Sequence, residues 1–233
     1  SLLRFAYGDK ARAILEGVSV SLSPSEKVGL IGPNGSGKTT LIRLLLGELE
    51  PLAGTVWVNP RVRVGYLSQM LSELDPERTT ADNVRDQTGL TMPETRNLLG
   101  KMGLVGDTQL QSIGTLSMGE RTRVAVSCLC FGSYDALILD EPTNHLDATA
   151  RDCVEQALSS FPGALLAATH DRYFVDRVCN TVWSLEDGKV RTVKGNYSAF
   201  RDDRMATPSQ AGVPSPAGVP DPAMVELALQ TEL

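Results

Sequence analysis

Gly32-Pro33-Asn34-Gly35-Ser36-Gly37-Lys38-Thr39 is the stretch that decides the fold of this chain. It fits the pattern GxxxxGK(S/T) at every fixed position. An apolar strand at Val28–Ile31 precedes it, and a helix with apolar residues at Leu41, Leu44 and Leu45 follows. The full motif between a strand and a helix predicts a phosphate-binding loop rather than a plain glycine turn.

Each residue type in this loop has a chemical purpose. Glycines allow backbone N–H groups to wrap around phosphates, and the N-terminus of the following helix adds a favourable dipole. Lys38 is expected to neutralise the β- and γ-phosphates, and Thr39 is expected to ligate Mg²⁺. We therefore predict that residues 32–40, which include Thr40, bind a nucleotide together with Mg²⁺, and the resemblance given below implies that this nucleotide is ATP.

A second chemical site is predicted where the apolar stretch Ala136–Leu139 ends in two acids, Asp140 and Glu141. Acids also follow buried strands for purely structural reasons. Because these two come after a phosphate-binding loop, Asp140 is expected to hold Mg²⁺, directly or through water. Glu141 is expected to polarise the attacking water.

The segment Ser117-Met118-Gly119-Glu120 precedes an amphipathic helix that is predicted to reach Phe131. Ser117 and Glu120 have the spacing of a capping box, so one interpretation is a simple helix cap. The other is a second phosphate-binding surface made by Ser117, the Gly119 N–H and the helix dipole. The position of the segment just before the strand that carries Asp140 favours the second interpretation.

Composition narrows the class of protein. The chain has 233 residues, of which 42% are apolar and 21% charged, which is typical of a soluble globular protein with one sizeable core. A net charge of −6 argues against a stand-alone nucleic-acid binder, which needs clustered Lys and Arg. No apolar run approaches the ~20 residues of a membrane span, so no membrane insertion is expected. No signal peptide is expected from the first residues, and the start at Ser1 rather than Met suggests a piece of a longer protein.

The four cysteines are the next candidates for chemistry. They form no CxxC pair, and no His lies at metal-ligand spacing from them; they are Cys128, Cys130, Cys153 and Cys179. We interpret them as buried thiols in a reducing compartment, with a metal or disulfide role as the alternative. This interpretation agrees with a cytoplasmic location.

Local patterns divide the chain into a domain at residues 2–201 and a tail at 202–233. Within the domain, Thr55–Val58 and Val62–Tyr66 are predicted to pair as strands, and an inserted helical subdomain is expected at about residues 72–131. A later strand is predicted at Ala164–Ala168, followed by a hairpin of Thr181–Leu185 with Lys189–Val193.

The tail differs in composition from the domain. Prolines recur between residues 207 and 222, and Ala-Gly-Val-Pro occurs twice. Such a segment predicts a flexible tail, with a docking peptide as the alternative. The last residues, Ala223–Leu233, have a short helix as one option.

With these motifs in this order, the sequence resembles ABC-type ATPases over about residues 3–200. That family uses a phosphate-binding loop, a glutamine loop, a signature, an aspartate–glutamate strand end, a D-loop and a switch histidine. The matching positions here are Gly32–Thr39, Gln69, Leu116–Glu120, Asp140-Glu141, Asn144–Asp147 and His170. The resemblance implies an α/β fold with a mixed sheet core, an antiparallel β subdomain and an inserted helical subdomain.

The resemblance also implies roles for individual residues. Gln69 would contact Mg²⁺ or the attacking water, and His170 would contact the γ-phosphate. Tyr7 would stack on adenine, with Phe5 as the fallback and a core position for Tyr7 as the alternative. Two such domains would pack head to tail, so that Ser117–Glu120 face the nucleotide of the partner.

Three segments resemble one branch of the family, the ABC-F proteins, which carry two such domains on one chain and act on the ribosome. They are Glu141–Asp147, His170–Phe174 and Gly195–Phe200. The resemblance implies a second ABC domain and the ribosome as partners, with this chain as the second domain. Met118 departs from the family by replacing the first signature glycine. The linker that separates resistance factors from housekeeping translation factors is absent, so both groups stay open.

Two other functions also stay open. The ATPase subunit of a membrane ABC transporter shares every catalytic motif, but it needs a groove near Gln69 for a membrane partner. A non-catalytic nucleotide-binding module is the third hypothesis, and the presence of Lys38, Asp140, Glu141 and His170 argues against it. DNA-repair relatives are disfavoured because no long coiled coil or zinc-binding cysteine set interrupts the domain.

Overall fold

A computed structural model of the protein describes residues 3–7, 13–206 and 225–227. Its strands are β1 (Leu3–Phe5), β2 (Leu15–Val18), β3 (Lys27–Ile31), β4 (Val56–Val58), β5 (Val64–Tyr66), β6 (Ala136–Asp140), β7 (Ala164–Ala168), β8 (Thr181–Glu186), β9 (Lys189–Lys194) and β10 (Val225–Leu227). Its helices are α1 (Lys38–Leu45), α2 (Leu67–Glu73), α3 (Thr80–Thr88), α4 (Met92–Lys101), α5 (Met118–Phe131), α6 (Ala148–Ser160), α7 (Arg172–Val178) and α8 (Tyr197–Ala206). Short 3-10 turns lie at Gly106–Gln109 and Ile113–Thr115.

The central sheet has the order β5-β6-β7-β3-β8-β9, with β9 antiparallel to β8 and the other neighbours parallel. Residues of one strand alternate between two apolar clusters, because successive side chains point to opposite faces. Ala136 and Ile138 of β6 join the cluster that contains α1, while Leu137 and Leu139 join the cluster that contains α5. Burial on both faces explains the continuous apolar runs of β6 and β7.

A separate antiparallel pair, β1 with β2, packs beside this sheet. The backbone N–H of Glu16 donates to the carbonyl of Gly188 at 2.8 Å, which ties β2 to the β8–β9 turn. The mixed sheet, this antiparallel pair and the helices inserted between β5 and β6 confirm the predicted fold class. None of the helices in the described ranges is long and apolar enough to cross a membrane.

The predicted pairing of Thr55–Val58 with Val62–Tyr66 is wrong. β5 instead lies parallel to β6, with Val64 opposite Ala136. The backbone N–H of Arg63 donates to the Asp135 side chain at 2.8 Å and fixes the start of this pairing. Gly65 allows β5 to sit against α5, because a side chain there would meet Leu129 Cδ2 at 2.6 Å. Packing against the core therefore outweighs the local hairpin.

Two capping boxes define helix starts in the inserted helical region. Thr91 caps α4 with Glu94, and Ser117 caps α5 with Glu120, the pair whose spacing the sequence shows. In both boxes the Glu carboxylate accepts from the backbone N–H of the capping residue, which satisfies a donor that the helix itself leaves free. The N-terminus of α5 is therefore held in a defined position.

The C-terminal part differs from the prediction in two places. α8 continues through the predicted domain boundary at residue 201. The short helix predicted within Ala223–Leu233 is wrong for Val225–Leu227, which form a strand parallel to β4. The edge of β4 offers backbone N–H and C=O groups that an extended segment can pair with. Residues 207–224, where a flexible tail is predicted, lie outside the described residues.

Candidate nucleotide-binding site

The loop between β3 and α1 wraps around a pocket of about 380 Å³. Gly35 and Gly37 have φ of 76° and 105°, in the left-handed region that favours glycine. A side chain at Gly32 would meet the Leu185 carbonyl at 2.3 Å, so β8 presses directly against the loop. The pocket is lined by Tyr7, Ile14, Asn34, Gly35, Gly37, Lys38, Thr39, Thr40, Asp140, Glu141 and His170.

Lys38 is buried at the base of this loop. Its Nζ donates to the carbonyls of Gly32 at 2.9 Å and Pro33 at 3.1 Å, and lies 3.2 Å from His170 Nε2. Burial lowers the pKa of Lys38, while the carboxylates of Glu141 and Asp140 oppose that shift. A buried ammonium group in a glycine-rich cradle fits the phosphates of a nucleotide, which can neutralise it.

Thr39 and Asp140 meet on the other side of the loop. The Thr39 hydroxyl donates to Asp140 Oδ2 at 2.9 Å. Oxygen ligands from a hydroxyl and a carboxylate beside a phosphate site are the set that Mg²⁺ prefers. The side-chain oxygen of Ser36 is buried and has no hydrogen-bond partner within the described part of the chain, and Ser36 does not line the pocket. The loop thus fits both ATP and Mg²⁺.

Glu141 and His170 are brought together by strand register. Asp140 of β6 lies opposite Ala168 of β7, so the residues that follow both strands emerge at the same sheet edge. Glu141 Oε1 lies 3.4 Å from His170 Nε2. The backbone N–H of Glu141 donates to the Ala168 carbonyl at 2.8 Å. Glu141 has φ of 50°, a strained value for a residue with a side chain, which fits a functional position.

Tyr7 is the aromatic residue that the pocket offers to a base. Its side chain is half exposed, and its hydroxyl lies 3.4 Å from Thr40 Oγ1. Phe5 meets the Tyr7 ring edge-on, with the ring centres 5.0 Å apart, but is itself buried. Phe5 therefore supports Tyr7 from behind and cannot reach a base.

The Ser117–Glu120 segment does not line this pocket in the described structure. The Ser117 hydroxyl donates to Glu120 Oε2 at 2.6 Å, which lowers the pKa of Glu120. Gly119 packs closely against the loop after β6, because a side chain there would meet the His145 carbonyl at 2.8 Å. Met118 is half exposed. Ser117 therefore caps α5, and the exposed first residue of that helix, Met118, leaves a role as a phosphate-binding surface open as well.

Comparison with known proteins gives the family. A family model described as ABC transporter matches residues 15–144. The chain belongs to the ABC family of ATPases. It is 36% identical over 90% of its length to Protein GCN20 of Saccharomyces cerevisiae. It is 35% identical over 85% of its length to the ribosome protection protein VmlR of Bacillus subtilis. These relatives confirm the resemblance to the ABC-F branch.

The ABC chain spans 28% of GCN20 and 36% of VmlR, so it corresponds to part of each relative. Its fold is shared with the solved dimeric structure of the ABC transporter cassette MJ0796, with a TM-score of 0.67 at 22% identity. That match covers 83% of this chain and 95% of the cassette. The ATPase assignment made from the motifs is confirmed.

Gln69 is a predicted site residue that does not line the pocket, and the same holds for Gly32, Pro33 and Ser36 of the loop itself. Gln69 lies within α2, and its amide donates to Glu73 Oε1 at 2.8 Å. Its side chain borders a different groove, between α1 and β4. Its predicted contact with Mg²⁺ or water stays a prediction, since Gln69 does not line the pocket that holds Asp140.

Sequence reasoning missed one residue that lines the ABC site, Ile14, and one that lies beside it, Asp171. Ile14 lines the pocket, and its side chain packs next to Gly37. Nothing in the surrounding sequence distinguishes Ile14 from a core residue. Asp171 follows the switch histidine and accepts hydrogen bonds from Tyr173 N and Phe174 N. An Asp just before a helix is an N-cap signal, and that signal could have drawn attention to it.

The cysteines take no part in the ABC site. All four are free thiols. Burial raises the pKa of Cys128, Cys130 and Cys179 to about 12, so these groups stay protonated.

Proposed function

We propose that this chain hydrolyses ATP in a site that a second ABC domain completes, and that this cycle controls association with the ribosome. The observation that carries the proposal is the meeting of Lys38, Asp140, Glu141 and His170 around one pocket. They come from the ends of three neighbouring parallel strands, where α/β sheets bind their ligands.

Each side chain has a task in this reaction. Lys38 binds the terminal phosphates, and Tyr7 stacks on adenine. Thr39 and Asp140 hold Mg²⁺, which supplies neutralisation of phosphate charge when bound.

Glu141 and His170 act on the water and the γ-phosphate. Glu141 accepts a proton from water as the water oxygen bonds to γ-phosphorus and the bond to the ADP oxygen breaks. His170 orients the Glu141 carboxylate, since the His170 backbone N–H donates to Glu141 Oε2 at 3.4 Å and the His170 ring faces Glu141 Oε1. The products are ADP and inorganic phosphate.

A second ABC domain would close the site. Ser117–Glu120 lie at the N-terminus of α5 and not in this chain's own pocket, so their phosphate-binding surface is available to the nucleotide of a partner. That partner is a domain of the same parent protein or another copy of this chain. The solved structure of MJ0796 is dimeric, which supports this arrangement.

The relatives favour the ribosome over a membrane transporter as the target. VmlR is described as a ribosome protection protein and is 35% identical to this chain. We place the chain in the cytoplasm on the same basis. Because the chain covers about a third of VmlR, ribosome control is proposed for the parent protein, with this chain as one of its two ATPase domains.

ATP turnover by Glu141→Gln tests the catalytic part. Loss of a general base costs about 10²–10⁴-fold in rate. We expect a fall in hydrolysis of at least about 100-fold with ATP binding retained, measured by phosphate release and by fluorescent-nucleotide titration. Glu48→Gln is the control, because Glu48 pairs with Arg43 outside the pocket. Unchanged turnover in Glu141→Gln would remove Glu141 from the mechanism.

Cosedimentation with ribosomes tests the target. In the parent protein, Glu141→Gln with ATP should pellet with ribosomes, and the same variant without ATP should stay in the supernatant. Adding Lys38→Ala to Glu141→Gln should abolish the ATP-dependent pelleting. The ribosome proposal fails if the Glu141→Gln protein shows no ATP-dependent pelleting. ATP hydrolysis by the wild-type chain would still support the catalytic part of the proposal after that result.

A further inference from the structure

The Asp171 carboxylate joins three elements around the catalytic pair. Its Oδ1 caps α7 by accepting from Tyr173 N at 3.0 Å and Phe174 N at 3.2 Å. Its Oδ2 accepts from Arg151 Nη1 at 3.1 Å and from the Thr143 hydroxyl at 3.3 Å. The Asp171 side chain is 13% exposed and the Arg151 side chain 40%, so the carboxylate is largely shielded from water while the guanidinium is partly exposed.

The two partners of Oδ2 lie on different segments. Thr143 is buried two residues after Glu141, in a loop whose backbone is left-handed at Glu141 and again at His145. Arg151 lies in the first turn of α6, directly after that loop. Strained backbone persists only where the surroundings hold it, and Asp171 supplies part of that hold.

His170 lies between this clamp and the pocket. Its ring faces Glu141 Oε1 at 3.4 Å and Lys38 Nζ at 3.2 Å. The next residue, Asp171, is anchored to the same loop that carries Glu141. A shift of that loop away from β7 would therefore separate Glu141 from His170 unless Asp171 moved with it.

We propose that Asp171 and Arg151 form a positioning pair that keeps the His170 ring in register with Glu141. The proposal rests on the proposed hydrolysis for its catalytic consequence. Asp171 touches neither the nucleotide pocket nor the reacting atoms and acts through the placement of His170.

A plain helix cap is the competing explanation, and the two roles use different oxygens. Capping uses Oδ1, while the pair with Arg151 uses Oδ2. Asp171→Asn keeps a capping oxygen, since Asn is as good an N-cap as Asp, but loses the charge. Arg151→Met removes the partner and leaves Asp171 and its cap in place. The two substitutions therefore isolate the pair from the cap.

The chain offers a matched control one residue away. Asp152, also on α6, forms an exposed ion pair with Arg177 of α7. Asp152→Asn thus removes a charge contact between the same two helices without touching Asp171.

The histidine content of the chain gives a direct readout. The sequence has two histidines, His145 and His170, so their ring signals can be assigned in an NMR spectrum. Arg151→Met and Asp171→Asn should move the His170 ring signals, and Asp152→Asn should leave them in place. Arg151→Lys, which keeps a positive charge, should restore much of the wild-type position.

Hydrolysis and binding are measured on the same variants. Because small misplacement of a catalytic group is costly, kcat should fall by about tenfold to a hundredfold while the Kd for ATP changes less than about twofold. The double variant should be no slower than the slower single variant, since both break one interaction.

The outcomes separate the claims. Unmoved His170 signals in folded Arg151→Met overturn the positioning role, whatever the hydrolysis rate. Moved signals with an unchanged kcat in an active enzyme overturn the catalytic consequence of the pair. If the wild-type chain shows no hydrolysis under any condition, the proposed function fails, and the NMR comparison still decides whether the pair positions His170.

Discussion

Gly37→Ala is expected to destabilise the protein much more than Gly35→Ala, although both glycines lie in one loop. Both have left-handed backbone, with φ of 105° at Gly37 and 76° at Gly35. A side chain at Gly35 would meet no atom within 4 Å. A side chain at Gly37 would lie 2.8 Å from Ile14 Cγ2 and 3.2 Å from Leu15 Cδ2. The pair of variants therefore separates backbone strain from crowding.

The magnitudes follow from these contacts. Left-handed backbone costs an alanine about 1–2 kcal/mol. The reduced freedom of the unfolded chain returns about 0.4–1 kcal/mol, so Gly35→Ala should cost about 1 kcal/mol. Displacing packed side chains adds about 1–3 kcal/mol, so Gly37→Ala should cost about 2–4 kcal/mol.

Urea unfolding without nucleotide is the assay, followed by tryptophan fluorescence. The absence of nucleotide keeps phosphate binding out of the comparison. Ile14→Ala supplies a further test, because removing the crowded methyl should make Gly37→Ala less costly in that background than in the wild type. Equal free energies of unfolding for Gly35→Ala and Gly37→Ala would refute the reasoning, and so would full additivity with Ile14→Ala.

Three further predictions concern the base, the buried acid and the thiols. Tyr7→Ala should weaken ATP binding by about 1–3 kcal/mol in a fluorescent-nucleotide titration, while Tyr7→Phe retains it, since the ring and not the hydroxyl stacks. Burial acts to raise the pKa of Glu26, but Lys194, Ser23 and Thr181 together lower it below its ordinary value of 4.5. The stability that Glu26 contributes is therefore present above pH 4.5 and is lost as the pH falls through the lowered pKa. The difference in unfolding free energy between wild type and Glu26→Gln should shrink below pH 4.5. A difference that stays constant with pH would contradict this prediction. Cys128, Cys130 and Cys179, with pKa raised to about 12, should resist iodoacetamide at pH 8 until the chain unfolds, as read by mass spectrometry, and rapid native labelling would exclude their burial.

The parts of the fold that sequence predicts well depend on contacts between residues close in the chain. The capping boxes of Thr91 with Glu94 and Ser117 with Glu120 follow from their spacing, and both form. The hairpin of β8 and β9 likewise joins adjacent segments. The phosphate-binding loop is another local feature, because Lys38 bonds to carbonyls only five and six residues earlier.

The parts that sequence could not predict depend on distant partners. β5 pairs with β6, which lies about 70 residues later in the chain, and no local sequence pattern near Val64 indicates that pairing. The pairing of β10 with β4 is of the same kind. Gln69 lies in a motif position, yet its amide bonds to Glu73 because α2 is helical there, which the motif does not state. The Asp171–Arg151 pair joins two helix starts whose proximity only the sheet decides.

The site combines contacts between residues close in the chain with a contact between two strands, and these should not be lost together. The contacts of Lys38 with its loop are local, whereas the contact of Glu141 with His170 crosses from β6 to β7. A substitution that loosens the packing beneath β6 and β7, such as Leu137→Ala or Leu165→Ala, disturbs the second contact and spares the first. Nucleotide binding should then persist in a protein that has lost much of its hydrolysis. The reverse order of loss would mean that the catalytic pair does not depend on strand register.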